Sequence, residues 1–445
     1  MCGRWWLILL ALIAVASRGA AQAMPHPELP PVVPLDVVGL PGGLEVSRPL
    51  TPVEIPPVAV APKPVVGEPV GPSAVPVQRV EELQQVAPTL RGPLGPRWDA
   101  LELLIWWPKA APLPPLVTAT RSGALPILGD PGTEVLVGGR ALANPDIAGG
   151  RFVLGRALNT RQTLGLEAVY FFLGSRTDSV ILSDAATPRI RTLGLPYVDE
   201  RTGAEQVFPL ALPGVARGSV FVSTTTRAQG VEANLVANLA DTSRVRLNGL
   251  MGYRYLQINE GLTIEQFRTS PGGFGPIYDQ FDGHNRFHGG QVGLSLDLSQ
   301  ASLYCELTGK VAFGQSTEVV KIDGATTIFT PTLGGATVAD FPGGVYALLS
   351  NMGRYTRTGF AVVPEAMVKL GVKISDTGRV YIGYQFLYLS SAVRPGEQID
   401  RMLNPAQIAA WNPAGSFFAQ DRPRVPFARS DYWLQGLTIG LETRY

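Results

Sequence analysis

Imidazole chemistry in this chain can rest only on His26, His284 and His288, and the last two stand close to Asp279 and Asp282. In an extended segment His284 and His288 point the same way, so with Asp282 they have the spacing for a metal site or a hydrolytic acid/base centre. The spacing permits such a centre without diagnosing it. The plainer reading is a polar loop end running into a strand. Gly272, Gly273 and Gly275 resemble a phosphate loop in composition alone, since no buried strand precedes them and no helix follows. No Gly-x-Ser-x-Gly elbow occurs. We therefore expect no enzyme activity, no cofactor and no metal. A second set of residues carries more information. Glu167, Glu232, Arg246, Arg254, Glu306, Lys310, Glu365, Lys369, Lys373, Glu442 and Arg444 mix both signs and stand at alternate positions among apolar neighbours. On one face of a group of strands they could line a water-filled passage and select solutes, or pair with each other and fill it.

The elements that position these charges are legible in composition and periodicity. Charged residues make up only 16% of the chain, against about 25% in a typical soluble protein. The 45% hydrophobic share forms no membrane-spanning apolar run after the N-terminus, so apolar and polar residues must alternate. A formal charge of +1, with no Lys/Arg cluster, gives no reason to expect a nucleic-acid partner.

The alternation is clearest at the C-terminus, where Leu437, Ile439, Leu441 and Tyr445 are interleaved with Thr438, Gly440, Glu442 and Arg444. It recurs around Val231–Leu239, Val245–Tyr255, Val292–Leu298, Leu303–Phe313 and Val362–Ile374. Short links at Asn159–Gln162, Asp241–Ser243, Ser299–Ala301 and Ser375–Gly378 alternate with long Gly/Pro/Thr-rich stretches. These are Pro108–Gly149, Gly174–Arg227, Asn259–Asn285, Gln315–Arg357 and Ser391–Asp431. A soluble sandwich also alternates, but strict alternation of tight turns with long loops is the asymmetry of a membrane barrel. The expected fold is all-β: a transmembrane antiparallel up-and-down β-barrel of about 10 strands, accepted up to about 14 if Ser219–Thr226 and Thr317–Asp323 hide further pairs. Trp106, Trp107, Tyr170, Phe172, Tyr253, Tyr255, Tyr384, Phe386, Tyr388 and Trp433 would form its interfacial girdles.

Upstream, Arg4 precedes an apolar run from Trp5 to Ala16 and an Ala21-Gln22-Ala23 site, so residues 1–23 read as a cleaved signal peptide. Removal would leave Cys305 as the lone cysteine, with no disulfide possible. Residues 24–96 are rich in Pro and Val and read as a disordered, extended periplasmic linker, an inert spacer or a tether to the cell wall. Residues 97–445 are the expected barrel, with outer-membrane lipid and the barrel assembly machinery as its partners.

Several segments, in order, resemble a bacterial family of outer-membrane β-barrel porins, the seventh to carry that label. They include Pro114-Pro115-Leu116-Val117-Thr118, Gly252-Tyr253-Arg254-Tyr255-Leu256, Gly289-Gly290-Gln291-Val292-Gly293, Val363-Pro364-Glu365, Tyr388-Leu389-Ser390 and Val393-Arg394-Pro395-Gly396. The resemblance runs through Trp98–Tyr445 and implies a bacterial outer-membrane location and a barrel, but no particular solute. The resulting expectation is porin-like passage of small solutes. The alternatives are a plugged structural or adhesive barrel whose loops meet an external partner, and a loop-sited hydrolase on His284 and Asp282. Ten strands sit nearer the side-chain-filled end of barrel sizes than the open end, which keeps the plugged alternative close.

Overall fold

The computed structural model describes residues 93–140, 146–183, 192–271, 273–333, 335–412 and 422–445. The signal peptide and nearly all of the Pro/Val-rich linker lie outside the described residues. In chain order the strands are β1 (Arg97–Pro108), β2 (Val117–Thr120), β3 (Glu134–Val137), β4 (Ile147–Ala157), β5 (Leu164–Ser183), β6 (Thr192–Asp199), β7 (Glu205–Ala211) and β8 (Arg217–Asp241). They continue with β9 (Val245–Ser270), β10 (Gly273–Gln300), β11 (Leu303–Thr332), β12 (Gly335–Pro342), β13 (Gly353–Lys373), β14 (Gly378–Ala392), β15 (Met402–Leu403) and β16 (Ser430–Arg444).

Ten of these close a ring of antiparallel neighbours in the order β1, β4, β5, β8, β9, β10, β11, β13, β14, β16. The last strand returns to the first, with Trp98 opposite Arg444 and Leu103 opposite Ile439. Closure leaves no unpaired edge, which is what a β-structure needs in lipid. The sequence-derived strands all reappear as barrel strands, and the count falls at the low end of the expected range. Ser219–Thr226 and Thr317–Asp323 are not extra strand pairs but the upper parts of β8 and β11.

Three of the expected long loops, Gly174–Arg227, Asn259–Asn285 and Gln315–Arg357, are mostly strand. β9, β10 and β11 have 26, 28 and 30 residues, whereas a membrane crossing takes about 9–11. At roughly 3.3 Å per residue the surplus carries the sheet far past a bilayer. The phase of alternation inverts along each strand, and this hides the extension in the sequence. In β9, Met251 and Tyr253 point outward and are exposed while Arg254 points inward and is buried. Further along, Leu256, Ile258, Leu262 and Ile264 point inward, and Gln257, Asn259, Thr263 and Glu265 point outward. Lipid selects an apolar outer face over one stretch and water selects a polar one over the next. The two patterns cancel where they meet.

At the long-connection end, segments from three different connections form a second sheet, in which β6 pairs β2, β7 and β15, and β2 also pairs β3. Its apolar residues pack against the inner faces of the extended strands in one core, including Leu116, Leu195, Phe208, Val222, Ile264, Phe281, Ile322 and Tyr346. The connection between β12 and β13 is clamped into that core by Asp279. Its Oδ1 accepts from the backbone N–H groups of Val345 (2.9 Å), Tyr346 (2.9 Å) and Ala347 (2.7 Å), and its Oδ2 from Gln266 Nε2 (3.0 Å). Burial pushes the Asp279 carboxyl up to about 6, against the pull of those donors. The folded state then binds this proton more tightly than the unfolded chain, so the contribution to stability grows as pH falls through about 6 and saturates below about 4. Asp279→Asn should abolish that dependence with the clamp kept, because Gln266, whose Oε1 has no partner among the described residues, can turn to accept from the new amide. Asp279→Ala should strand the N–H donors at about 1–3 kcal/mol each, read as accelerated hydrogen exchange at Val345–Ala347.

Candidate functional site in the barrel lumen

The inward positions of the ring build the site. Outward positions carry the apolar belt: Leu154, Leu166, Met251, Leu294, Leu370, Ile382, Leu437 and Ile439 are exposed, as is Tyr445. Rings group on the same face, with Phe152 and Tyr170 6.5 Å apart, Tyr170 and Phe172 6.1 Å, and Phe386 and Trp433 6.4 Å. Trp106, assigned from sequence to the girdle, instead points inward and is fully buried.

Looking from the short-turn end, the first inward level holds Asp297, Arg379, Glu442, Arg444 and Glu306. Arg379 Nη1 lies 2.8 Å from Asp297 Oδ2, Arg444 reaches Glu306 at 3.5 Å, and Arg444 also pairs with Glu442. At the next level Glu102 meets Arg151 at 2.9 Å and Lys369 at 3.0 Å, and it accepts from the Tyr381 hydroxyl at 2.6 Å. Gly440 makes room for the Tyr381 ring, where even a methyl group would collide. Beside this, Arg254 bridges Glu232, at 2.6 Å, and Glu365, while Lys310 lies 2.9 Å from both carboxylates. Glu167 accepts from Trp98 Nε1 at 3.0 Å.

Of the charges assigned to the lumen from sequence, most therefore join two ion-pair clusters, one holding Lys369, Glu306, Glu442 and Arg444 and one holding Glu232, Arg254, Glu365 and Lys310. Arg246 lies at the short-turn rim with Asp241 (3.0 Å), and Lys373 is partly exposed beyond the network. Glu102, Arg151 and Arg379 were missed. Leu104 and Trp106 also face inward on β1, so that strand reads as apolar on both faces and conceals Glu102 just before them. A cavity of about 110 Å³, bordered by Leu94, Trp98, Val236, Glu102, Lys310 and Lys369, lies on the short-turn side, large enough for a few waters.

Above the charges comes a dry layer. Leu104, Trp106, Phe171, Leu256, Phe287, Val363, Leu387, Tyr432 and Leu434 are all buried there. The Trp106 and Phe171 rings are 5.5 Å apart, and the Arg151 guanidinium stands 5.6 Å from the Trp106 centroid, joining the two layers. Higher still, Arg394 from the β14–β16 connection pairs with Glu260 on β9 (2.7 Å) and covers the Tyr432 ring at 4.9 Å. Asn285 holds Val393 through both backbone groups, at 2.7 and 2.9 Å. The connection is thus fixed to the inner wall.

The His284 group is divided between two faces. Asp279 points inward, and Asp282, His284 and His288 lie on the outward face of β10. His284 Nδ1 meets Asn259 Oδ1 at 3.2 Å, and Asp282 accepts from Gln280 Nε2 at 2.9 Å. Among the described residues, no cluster of His, Cys, Asp and Glu has the arrangement to hold a metal ion.

A closed antiparallel ring, apolar and aromatic outside and charged within, with short turns at one end, defines an outer-membrane β-barrel. Residues 98–445 match the family model described as "Putative beta barrel porin-7", and the chain belongs to that family. No curated protein matches the sequence. Similar solved structures include the outer membrane protease OmpT of Escherichia coli (11% identity, 78% of this chain and 96% of that one, TM-score 0.38). Others are a Pseudomonas aeruginosa FadL homologue (7%, 80% and 92%, 0.21) and the Pseudomonas putida toluene transporter TodX (8%, 81% and 93%, 0.17). At scores this low the fold rests on the chain's own closed sheet and on the family match.

Proposed function

We propose that the protein is a closed outer-membrane barrel that displays a rigid external lobe, rather than a standing diffusion pore. One observation carries this reading: two successive levels of inward side chains, the Glu102–Arg151–Lys369 and Glu232–Arg254–Glu365–Lys310 pairs and then the Trp106–Phe171–Phe287 layer, are buried across the lumen. Water and ions would have to cross a dry layer, where an unpaired charge is costly. The chain would be exported by its signal peptide and inserted by the barrel assembly machinery. Leu94 packs with Trp98 and Val236 at the short-turn mouth, which supports a periplasmic course for the linker upstream, within reach of the cell wall. No catalytic role is assigned to any residue.

The family description favours a second reading, passage of small solutes. That reading requires the β14–β16 connection, with Arg394, to leave the mouth. Liposome swelling separates the two: proteoliposomes of folded protein in arabinose should swell no faster than empty ones, and rapid swelling would establish passage.

A further inference from the structure

The outward face of the barrel just above the aromatic belt carries Asp282, His284 and His288 of β10. Strand register places Val231, Tyr255 and His288 in one row across β8, β9 and β10. Gln229, Gln257 and Arg286 form the next row away from the belt, and Arg227, Asn259 and His284 the one after. Rows one pleat apart share the outer face. The side chains between the arginines are tied to each other. Gln229 Nε2 donates to Gln257 Oε1 (3.0 Å), the Tyr255 hydroxyl donates to the same oxygen (3.1 Å), and Gln257 Nε2 donates to Asn259 Oδ1 (3.3 Å). This ladder consumes the amides and leaves the guanidinium groups alone. Arg227 and Arg286 are exposed and make no ion pair or side-chain hydrogen bond among the described residues.

No carboxylate offsets them. Across these rows the flanking outward positions are Gln315, Thr317 and Val319 on β11, and Thr356, Thr358 and Phe360 on β13. Glu260 and Glu318 point inward and are paired with Arg394 and Arg429. The first outward acid, Asp282, comes one row higher, opposite Lys321, which pairs with Asp323, and beside Arg354. With Asp323 from the row above counted, charge is balanced there and unbalanced below it, where the sheet leaves the membrane.

We propose that this patch binds the phosphate of an anionic outer-leaflet glycolipid, with Arg227 and Arg286 as its charge partners. Two strands and one pleat separate them, about 12 Å between Cα atoms from standard sheet spacings, so both guanidinium groups can reach one headgroup. Guanidinium forks match phosphate oxygens in pairs. The patch continues the lipid-facing belt upward from Tyr170 and Tyr255, and interfacial rings of this kind mark headgroup depth. The acyl chains would lie on the belt directly beneath. The assignment rests on the outer-membrane location and is independent of whether the lumen is open.

The test is lipid retention by the full chain, measured by native mass spectrometry after reconstitution in phosphatidylcholine nanodiscs with or without diphosphoryl lipid A. Wild type should carry lipid A through delipidation. The Arg227→Gln/Arg286→Gln variant should lose it by about tenfold or more, from the attraction typical of two interfacial charges. Both side chains are exposed, so heat-modifiable migration should be unchanged in the variant, confirming its fold. Arg354→Gln, in the balanced row, should retain lipid like wild type. Equal retention by the double variant would overturn the site. So would equal loss in Arg354→Gln, which would reduce the effect to net charge. Displacement of lipid A by millimolar inorganic phosphate would identify a free-anion site and overturn the lipid assignment.

Discussion

Arg254→Met will unfold the barrel at markedly lower urea than wild type, with a loss of about 3–5 kcal/mol. Arg254 is buried between Glu232 and Glu365, and its removal leaves Lys310 as the only base among the described residues within ion-pair distance of both carboxylates. The loss comes from stranding a buried anion far more than from the net worth of the pair. Adding Glu232→Gln should therefore recover part of it, with a coupling of about 1–3 kcal/mol in the double-mutant cycle. The readout is the fraction of heat-modifiable, fast-migrating protein across a urea series. Additive losses would mean that the network does not act as a unit.

The second large effect is expected in the dry layer. Trp106 is fully buried, 5.5 Å from the Phe171 ring, with the Arg151 guanidinium of the charged level against its ring face. Trp106→Ala should cost about 3–5 kcal/mol, since neighbours held on ten strands of a closed ring can collapse little into the space. The void would join the charged level below to the layer above. Folded Trp106→Ala protein should leak ions in brief openings that wild type lacks. A destabilised but silent variant would show that the Arg394 and Tyr346 levels alone close the barrel.

Both effects depend on residues of different legibility in the sequence. The lipid-facing rows, such as Leu437-x-Ile439-x-Leu441, could be read directly, because lipid outside and polar lumen inside impose one strict period. Lys310, Lys369 and Glu365 were legible for the same reason. Glu102 was not, because Leu104 and Trp106 face inward nearby and erase the contrast on β1, and Arg151 was not, because its inward neighbours on β4 are Gly149 and Val153, which set up no polar face. The stretch Asn259–Asn285 read as a loop because the alternation changes phase where β9 and β10 leave the membrane. His284 and His288 do share a face, as spacing required, but spacing alone could not say that the face is the outer one. The second sheet was beyond reach, since β2, β6 and β15 are short, lie far apart in sequence and meet only after the ring has closed.

Filling of the lumen is what separates a display barrel from a pore. Open channels are typical of barrels with about sixteen strands, and eight-stranded barrels are filled by side chains. This ring of ten fills its lumen with an ion-pair layer, an apolar layer and a lobe fixed by Arg394 and Asp279. Single-channel recording from detergent-purified, heat-modifiable protein in planar bilayers tests that most directly. The closed lumen predicts silent wild-type protein at moderate voltage and openings in Trp106→Ala; steady ohmic openings of wild type, with ion selectivity that shifts in Lys369→Glu, would contradict it and establish a charged pore.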